Sequence, residues 1–293
     1  MRIFFIGTVE FSKRSLEKLI DINANVVGVA TKTKSSFNAD FADIVKVCKE
    51  NDLNYKSIAN INSAECINWI RSLKPDVIFC FGWSNLLKKE ILNLAPLGVV
   101  GYHPTELPKN RGRHPIIWAL VLGLKNTAST FFFMKEGADD GDILSQKKVS
   151  ISWDDDAQKL YDKLSTVALT QIETFHEELK SKTYTRTPQD HSIANLWRKR
   201  GKNDGRIDFR MSSEAIYNLI RGLAKPYIGA HIEKEGKDIM VWKSKVGNNY
   251  NRNIEPGKVI QIVDSHIEVK TGNASIWLIN HEFSNLPKPN EYL

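Results

Sequence analysis

The chain of 293 residues has only three cysteines, Cys48, Cys66 and Cys80, and no two of them stand at CxxC spacing. That argues against a disulfide-stapled scaffold and against a zinc ribbon, and it makes a reducing compartment, the cytoplasm, the expected location. Long hydrophobic runs are missing as well. No stretch approaches the roughly 18–20 apolar residues that cross a bilayer. The opening run from Ile3 to Ile6 is shorter than the about 7–15 residues of a secretory core, so no membrane contact is expected and a buried first strand is the better reading. No internal repeat is present, and charge is not lopsided: 41 Lys and Arg stand against 34 Asp and Glu, for a net +7. With 42% hydrophobic and 26% charged residues, the composition excludes a disordered, collagenous or coiled-coil chain. The pI near 9.1 leaves two kinds of partner open, nucleic acid or an anionic small substrate.

What is present is an alternation of strand-like and helix-like segments. Residues 2–7, 25–31, 55–58, 77–82, 98–102 and 128–134 read as strands, and 10–21, 39–51, 63–73 and 114–122 as amphipathic helices. Near-continuous apolar strands between amphipathic helices predict an α/β fold, a doubly wound, Rossmann-like parallel sheet covered on both faces. An edge strand at 143–151 and a long helix at 154–181 follow. Composition then turns polar. We expect a catalytic domain over 1–183, a linker over 184–212 and a small β-rich C-terminal domain over 213–293, where a helix precedes closely spaced strands of a barrel or sandwich. Basic residues exceed acidic ones by 24 to 22 before Tyr184 and by 17 to 12 after Thr183, so the C-terminal part is the more basic. The Arg198-Lys199-Arg200 cluster reads more readily as a solvated connector than as a phosphate contact.

Chemistry concentrates in residues 98–146. A buried strand ends at His103, followed by Pro104, and the carboxyl end of a strand is where open α/β sheets bind ligands. A histidine there can shuttle protons. Beyond a later strand come Gly137, Ala138, Asp139, Asp140, Gly141 and Asp142, a tight acidic turn able to meet His103 in space. The turn lacks EF-hand spacing, and the two His-Pro pairs are not metal-ligand spacings, so no metal is expected. The first βα turn, with Gly7 alone, does not match GxGxxG, which disfavours a dinucleotide.

Taken together, His103-Pro104-Thr105-Glu106-Leu107-Pro108, Arg111-Gly112 and Gly137-Ala138-Asp139 with Gly141 resemble the folate-dependent formyltransferase family. The family's histidine loop of the HxSLLPxxRG type and its later aspartate occur here in order. The likeness extends to Ile6-Gly7-Thr8 with Phe11, to Asn203-Asp204-Gly205-Arg206, and to Lys225-Pro226-Tyr227. It implies transfer of a formyl group from N10-formyltetrahydrofolate, as co-substrate, to an amine. His103 and Asp139 are then the catalytic residues. Folate is expected against Phe81, Trp83, Ser84, Asn85, Leu86 and Leu87 and against Glu136, Asp140 and Asp142. Thr8, Phe11, Arg111, Arg113 and His114 are the candidates for the acceptor, arginine suiting phosphate. One departure stands out. The family's asparagine two residues before the histidine is Gly101 here, which leaves Asn110 and Asn85 as candidate replacement donors.

The resemblance also frames the acceptor. The methionyl-tRNA formyltransferases carry a basic insertion after the second strand, whereas residues 32–38 offer only Lys32 and Lys34. Two lysines are a thin footing for a polyanion. The shorter form is similar to sugar N-formyltransferases, so the expected partner is a nucleotide-linked amino sugar carried on UDP, dTDP or GDP, with nucleic acid disfavoured and a homodimer plausible. Two other readings stay open, a methionyl-tRNA formyltransferase and a nucleotide-sugar or folate binding module that has lost catalysis at Gly101.

Overall fold

The computed structural model describes residues 1–33 and 40–293. Most of the short segment after the second strand, 34–38, and the start of the helix expected from 39 therefore lie outside the described residues. The elements run β1 (Arg2–Ile6), α1 (Glu10–Asp21), β2 (Asn25–Thr31), α2 (Ile44–Glu50), β3 (Tyr55–Ser57), α3 (Ala64–Ser72), β4 (Val77–Cys80), α4 (Lys89–Leu92), β5 (Val99–His103), β6 (Arg111–Gly112), α5 (Pro115–Val121), β7 (Asn126–Phe133), β8 (Ile143–Ser150) and α6 (Ala157–Ser181). They continue with β9 (Leu196–Trp197), α7 (Ser213–Leu223), β10 (Ala230–Lys234), β11 (Lys237–Gly247), β12 (Val259–Val263), β13 (His266–Lys270) and β14 (Ser275–His281). Local chemistry explains several boundaries. Asp43 accepts from the Val45 and Lys46 amides at the start of α2, Ser63 from Cys66 at α3, and Ser212 from Ala215 at α7, each satisfying a helix-terminal N–H.

The described residues form two compact units. The first comprises Met1–Pro115, Thr127–Val149 and Asp162–Trp197, the second Ile116–Asn126, Ser150–Tyr161 and Arg198–Leu293. Residues 184–197, expected within a linker, thus belong to the first unit.

The first unit carries a seven-stranded sheet among the described residues, ordered β3-β2-β1-β4-β5-β7-β8. β1 to β5 pair in parallel, as the apolar strands predicted. β7 instead runs antiparallel to β5, placing Gly101 opposite Phe132 and His103 opposite Thr130. An apolar run carries no mark of its direction, so the sheet is mixed where a parallel one was expected. Phe4, Phe5, Ile78, Phe79 and Val100 are fully buried, and burial of this kind is worth about 1.5–3 kcal/mol for each large side chain. The sheet thereby gives β5 a rigid base from which His103 projects.

The second unit holds one antiparallel sheet of five strands among the described residues, ordered β10-β11-β14-β13-β12, where spacing had left barrel and sandwich open. Ile216, Leu219, Ile220 and Leu223 of α7 pack with Val241, Val259, Ile267, Val269 and Ile276 in its core.

Candidate active site

His103 closes β5 and is 5% exposed. Its Nε2 lies 2.8 Å from the Asn110 carbonyl oxygen. A carbonyl can only accept, so Nε2 carries a proton and donates it, and the tautomer of the neutral ring is fixed. The other ring nitrogen, Nδ1, stands 3.6 Å from Asp139 Oδ2. That is beyond a direct hydrogen bond. Asp139 Oδ2 accepts the Gly112 N–H at 2.9 Å, which ties the acidic turn to the histidine loop. Asp139 itself lies at φ +53°, a left-handed conformation that Asp tolerates better than most residues and that clusters at functional sites.

The histidine loop is braced from below. Thr127 Oγ1 donates to the Pro104 carbonyl at 2.9 Å and Thr130 Oγ1 to the Thr105 carbonyl at 2.6 Å. The Gln146 amide donates to the Leu107 carbonyl and to Thr130 Oγ1, both at 3.0 Å. Buried carbonyls of an irregular loop are thus satisfied. The acidic turn needs glycine at one point: a Cβ on Gly141 would collide with the Phe133 carbonyl oxygen.

Other expected residues fall into distinct groups. Phe81 is fully enclosed, stacked on Phe79 at 5.4 Å and edge-on to Phe5 and Phe131. Its ring is core, and the expectation that it covers a ligand is corrected by that lack of surface. Phe11 lies 4.2 Å from the Tyr102 ring and is 5% exposed, and Thr8 is buried with its hydroxyl donating to the Gly82 carbonyl. These two shape the strand ends from inside and leave little surface for an acceptor. Leu87 is likewise core. Trp83 is half-buried under Lys32, whose Nζ sits 4.8 Å from the ring centre. Ser84 and Asp140 are half-buried, while Asn85, Leu86 and Glu136 are exposed. Asp142 is half-buried and pairs with Lys135 at 3.0 Å. Arg113 is exposed, and His114 is half-buried at φ +55°.

Arg111 was read as a phosphate contact, yet its Nε and Nη2 donate to Gln189 Oε1 at 3.2 and 2.6 Å, and Nη2 also reaches His191 Nδ1 at 3.2 Å. That edge of the guanidinium is already engaged. Gln189 is 6% exposed, and its Nε2 donates to the carbonyls of Asp139 and Gly141 at 2.8 and 2.6 Å. Asn195 Oδ1 accepts the Asn110 N–H at 2.8 Å. Gln189 and Asn195 come from the polar stretch expected to be linker. Their composition gave no signal, because a buried amide and a solvated one look alike in sequence.

At Gly101 a side chain would meet an occupied space. A Cβ there would approach Met134 Cγ at 2.8 Å and Phe132 Cζ at 3.2 Å. Of the candidate replacement donors, Asn110 serves His103 through its backbone carbonyl, and Asn85 is exposed. Burial pushes the Cys80 thiol up to about 12 and those of Cys48 and Cys66 up to about 11. All three are free and inert.

Comparison with known proteins fits this geometry. Residues 1–173 match the formyl transferase family model and residues 199–288 the formyl transferase C-terminal domain. A methionyl-tRNA formyltransferase of Caldanaerobacter subterraneus subsp. tengcongensis is 32% identical over 300 residues, 100% of this chain and 96% of that protein. Among solved structures, the N-formyltransferase from Helicobacter canadensis, in complex with folinic acid and dTDP-3-aminofucose, matches with a TM-score of 0.70 at 15% identity, over 94% of this chain and 98% of that one. HypX from Aquifex aeolicus, in complex with tetrahydrofolic acid, gives a TM-score of 0.68 at 16% identity, over 96% of this chain. The chain spans 44% of the length of HypX. The two-part α/β and β-rich build is therefore that of a one-carbon group transferase. The chain belongs to the formyl transferase family.

Proposed function

We propose that this chain transfers a formyl group from N10-formyltetrahydrofolate to the amine of a nucleotide-linked amino sugar, within the cytoplasm. The observation that carries the reaction is the His103–Asp139 pair, with Nε2 committed to the Asn110 carbonyl and Nδ1 turned toward the carboxylate 3.6 Å away. With Nε2 protonated, a neutral His103 presents a lone pair at Nδ1. The substrate amine attacks the formyl carbon, a C–N bond forms, and Nδ1 takes the amine proton. The resulting imidazolium is stabilised by Asp139 and donates to the oxyanion of the tetrahedral intermediate. The C–N10 bond then breaks and the proton passes to N10, leaving a formamide and tetrahydrofolate. General acid–base help of this kind is worth about 10²–10⁴-fold, and one oxyanion donor about 10²–10³-fold.

Two features support the folate assignment. Trp83 Nε1 and Asp140 Oδ1, one in each segment assigned to folate, are buried without a hydrogen-bond partner among the described residues. A polar heterocycle that draws these loops open on binding would satisfy a donor and an acceptor. The amino-sugar acceptor is supported by the short segment after β2, and by the Helicobacter neighbour solved with dTDP-3-aminofucose. Lys32, one of that segment's two lysines, already covers Trp83. A second reading has its own support, since the matching relatives at 29–33% identity are methionyl-tRNA formyltransferases. Incubation with N10-formyltetrahydrofolate and a panel of UDP-, dTDP- and GDP-linked amino sugars beside methionyl-tRNA separates the two. Formylation of an amino sugar is expected. Formylation of tRNA alone overturns the acceptor, and binding without transfer to any acceptor overturns the enzyme reading.

A further inference from the structure

We propose that Gln189 is a positioning residue that sets the distance and angle of Asp139 to His103, an inference that rests on the formyl-transfer reading above. Every hydrogen-bonding group of its buried amide is used. Both N–H groups go to carbonyls of the acidic turn, at Asp139 and Gly141, and the oxygen takes the Nε and Nη2 of Arg111. The orientation is thereby fixed, because a flipped amide would set its N–H groups against a guanidinium and its oxygen against two carbonyls. Gln189 touches no reacting atom, and its effect passes through Asp139.

The geometry shows how. Arg111 and Gly112 are consecutive in β6, which pairs with β9. Arg111 reaches Gln189, while the Gly112 N–H holds the Asp139 carboxylate. Asp139 is therefore gripped at both ends, its carbonyl by Gln189 and its carboxylate by Gly112. Two grips are what a residue at φ +53° needs to hold one orientation, since that backbone conformation is not one it favours unaided. Without Gln189 the carbonyls of Asp139 and Gly141 lose a shared donor in a largely buried setting, and the carboxylate keeps a single backbone anchor. Misplacing a catalytic group by about 1 Å can cost on the order of 10²-fold in rate.

The test is a double-mutant cycle on the full chain, using the best acceptor from the panel. Gln189→Met should lower kcat about 10–100-fold while KM for the formyl donor stays within about threefold, with the folded fraction checked by thermal melting. In an Asp139→Asn background the same substitution should cost less than about threefold, because the group it positions has lost its charge. Equal losses in the two backgrounds, or wild-type kcat in Gln189→Met, overturn the proposal. Should Gln189→Met fail to fold, Gln189→Glu keeps the acceptor for Arg111 and replaces the two donors by an oxygen that repels the same carbonyls, and the same cycle applies. His103→Ala separates the two levels of inference. If it and Asp139→Asn both keep full turnover, the reading of the site has failed; if both lose it while Gln189→Met does not, only the role of Gln189 has.

Discussion

His103 in the first unit, with its mixed sheet, and Glu268 in the second, antiparallel one are each 5% exposed, yet their surroundings treat them differently. Glu268 Oε1 accepts the Ser275 hydroxyl at 2.6 Å and Oε2 accepts the Gln261 amide at 2.7 Å. Its neighbour Lys270, 2% exposed, gives Nζ to the carbonyls of Thr271 and Ala274, and burial holds its ammonium below the usual lysine range. These bonds close on the sheet and its own turn. His103 is closed on one side only, since its Nδ1 and Asp139 Oδ2 stand too far apart to bond each other and near enough to share a third atom. Burial of a polar group is common to structure and chemistry; a polar pair held just beyond hydrogen-bond reach is the feature that separates them.

That contrast breaks most sharply at His103 and Asp139. His103→Ala or Asp139→Ala should lower turnover by about 10²–10⁴-fold while thermal melting stays near wild type, and wild-type rates in both would remove the distinction. Glu268→Leu should do the reverse. It strips Ser275 of a buried acceptor, and a stability loss of about 1–3 kcal/mol in chemical denaturation should accompany unchanged turnover per folded molecule. Loss of turnover there would show that the antiparallel unit also feeds the reaction. The smallest effect concerns Asp204, whose carboxylate takes the Arg198 guanidinium and the Gly201 N–H and is held well below the usual range, chiefly by Arg198. Its folded value is depressed, so its contribution is present above the ordinary aspartate range and fades as pH falls toward the depressed value. Asp204→Asn should melt about 1–3 °C lower at neutral pH, and the gap should close on acidification.

The strands and helices were largely legible because burial leaves periodic traces: β2 and α1 fall on the residues their patterns indicated. Direction and partner leave none. The antiparallel turn of β7 and the two-residue pairing of β6 with β9 depend on contacts that no local pattern encodes. At the site, His103 was legible as a polar residue ending an apolar strand, and Asp139 as an acid among glycines. Phe81 shows the limit from the other side, since an apolar residue beside a ligand segment and one inside the core read alike. Gln189 and Asn195 act through amide geometry across 50 and 85 residues of chain, to Asp139 and Asn110, and their polar neighbourhood hid them.

Gly101 carries a consequence for descent. The space beside it is taken by Met134, just past the end of β7, the strand that pairs antiparallel with β5. An asparagine arriving at 101 would push its Cβ into that side chain, so Met134 would have to shift or give way to a smaller residue. Homologues that carry a side chain at 101 are therefore expected either to differ at 134 or to hold Met134 in another rotamer.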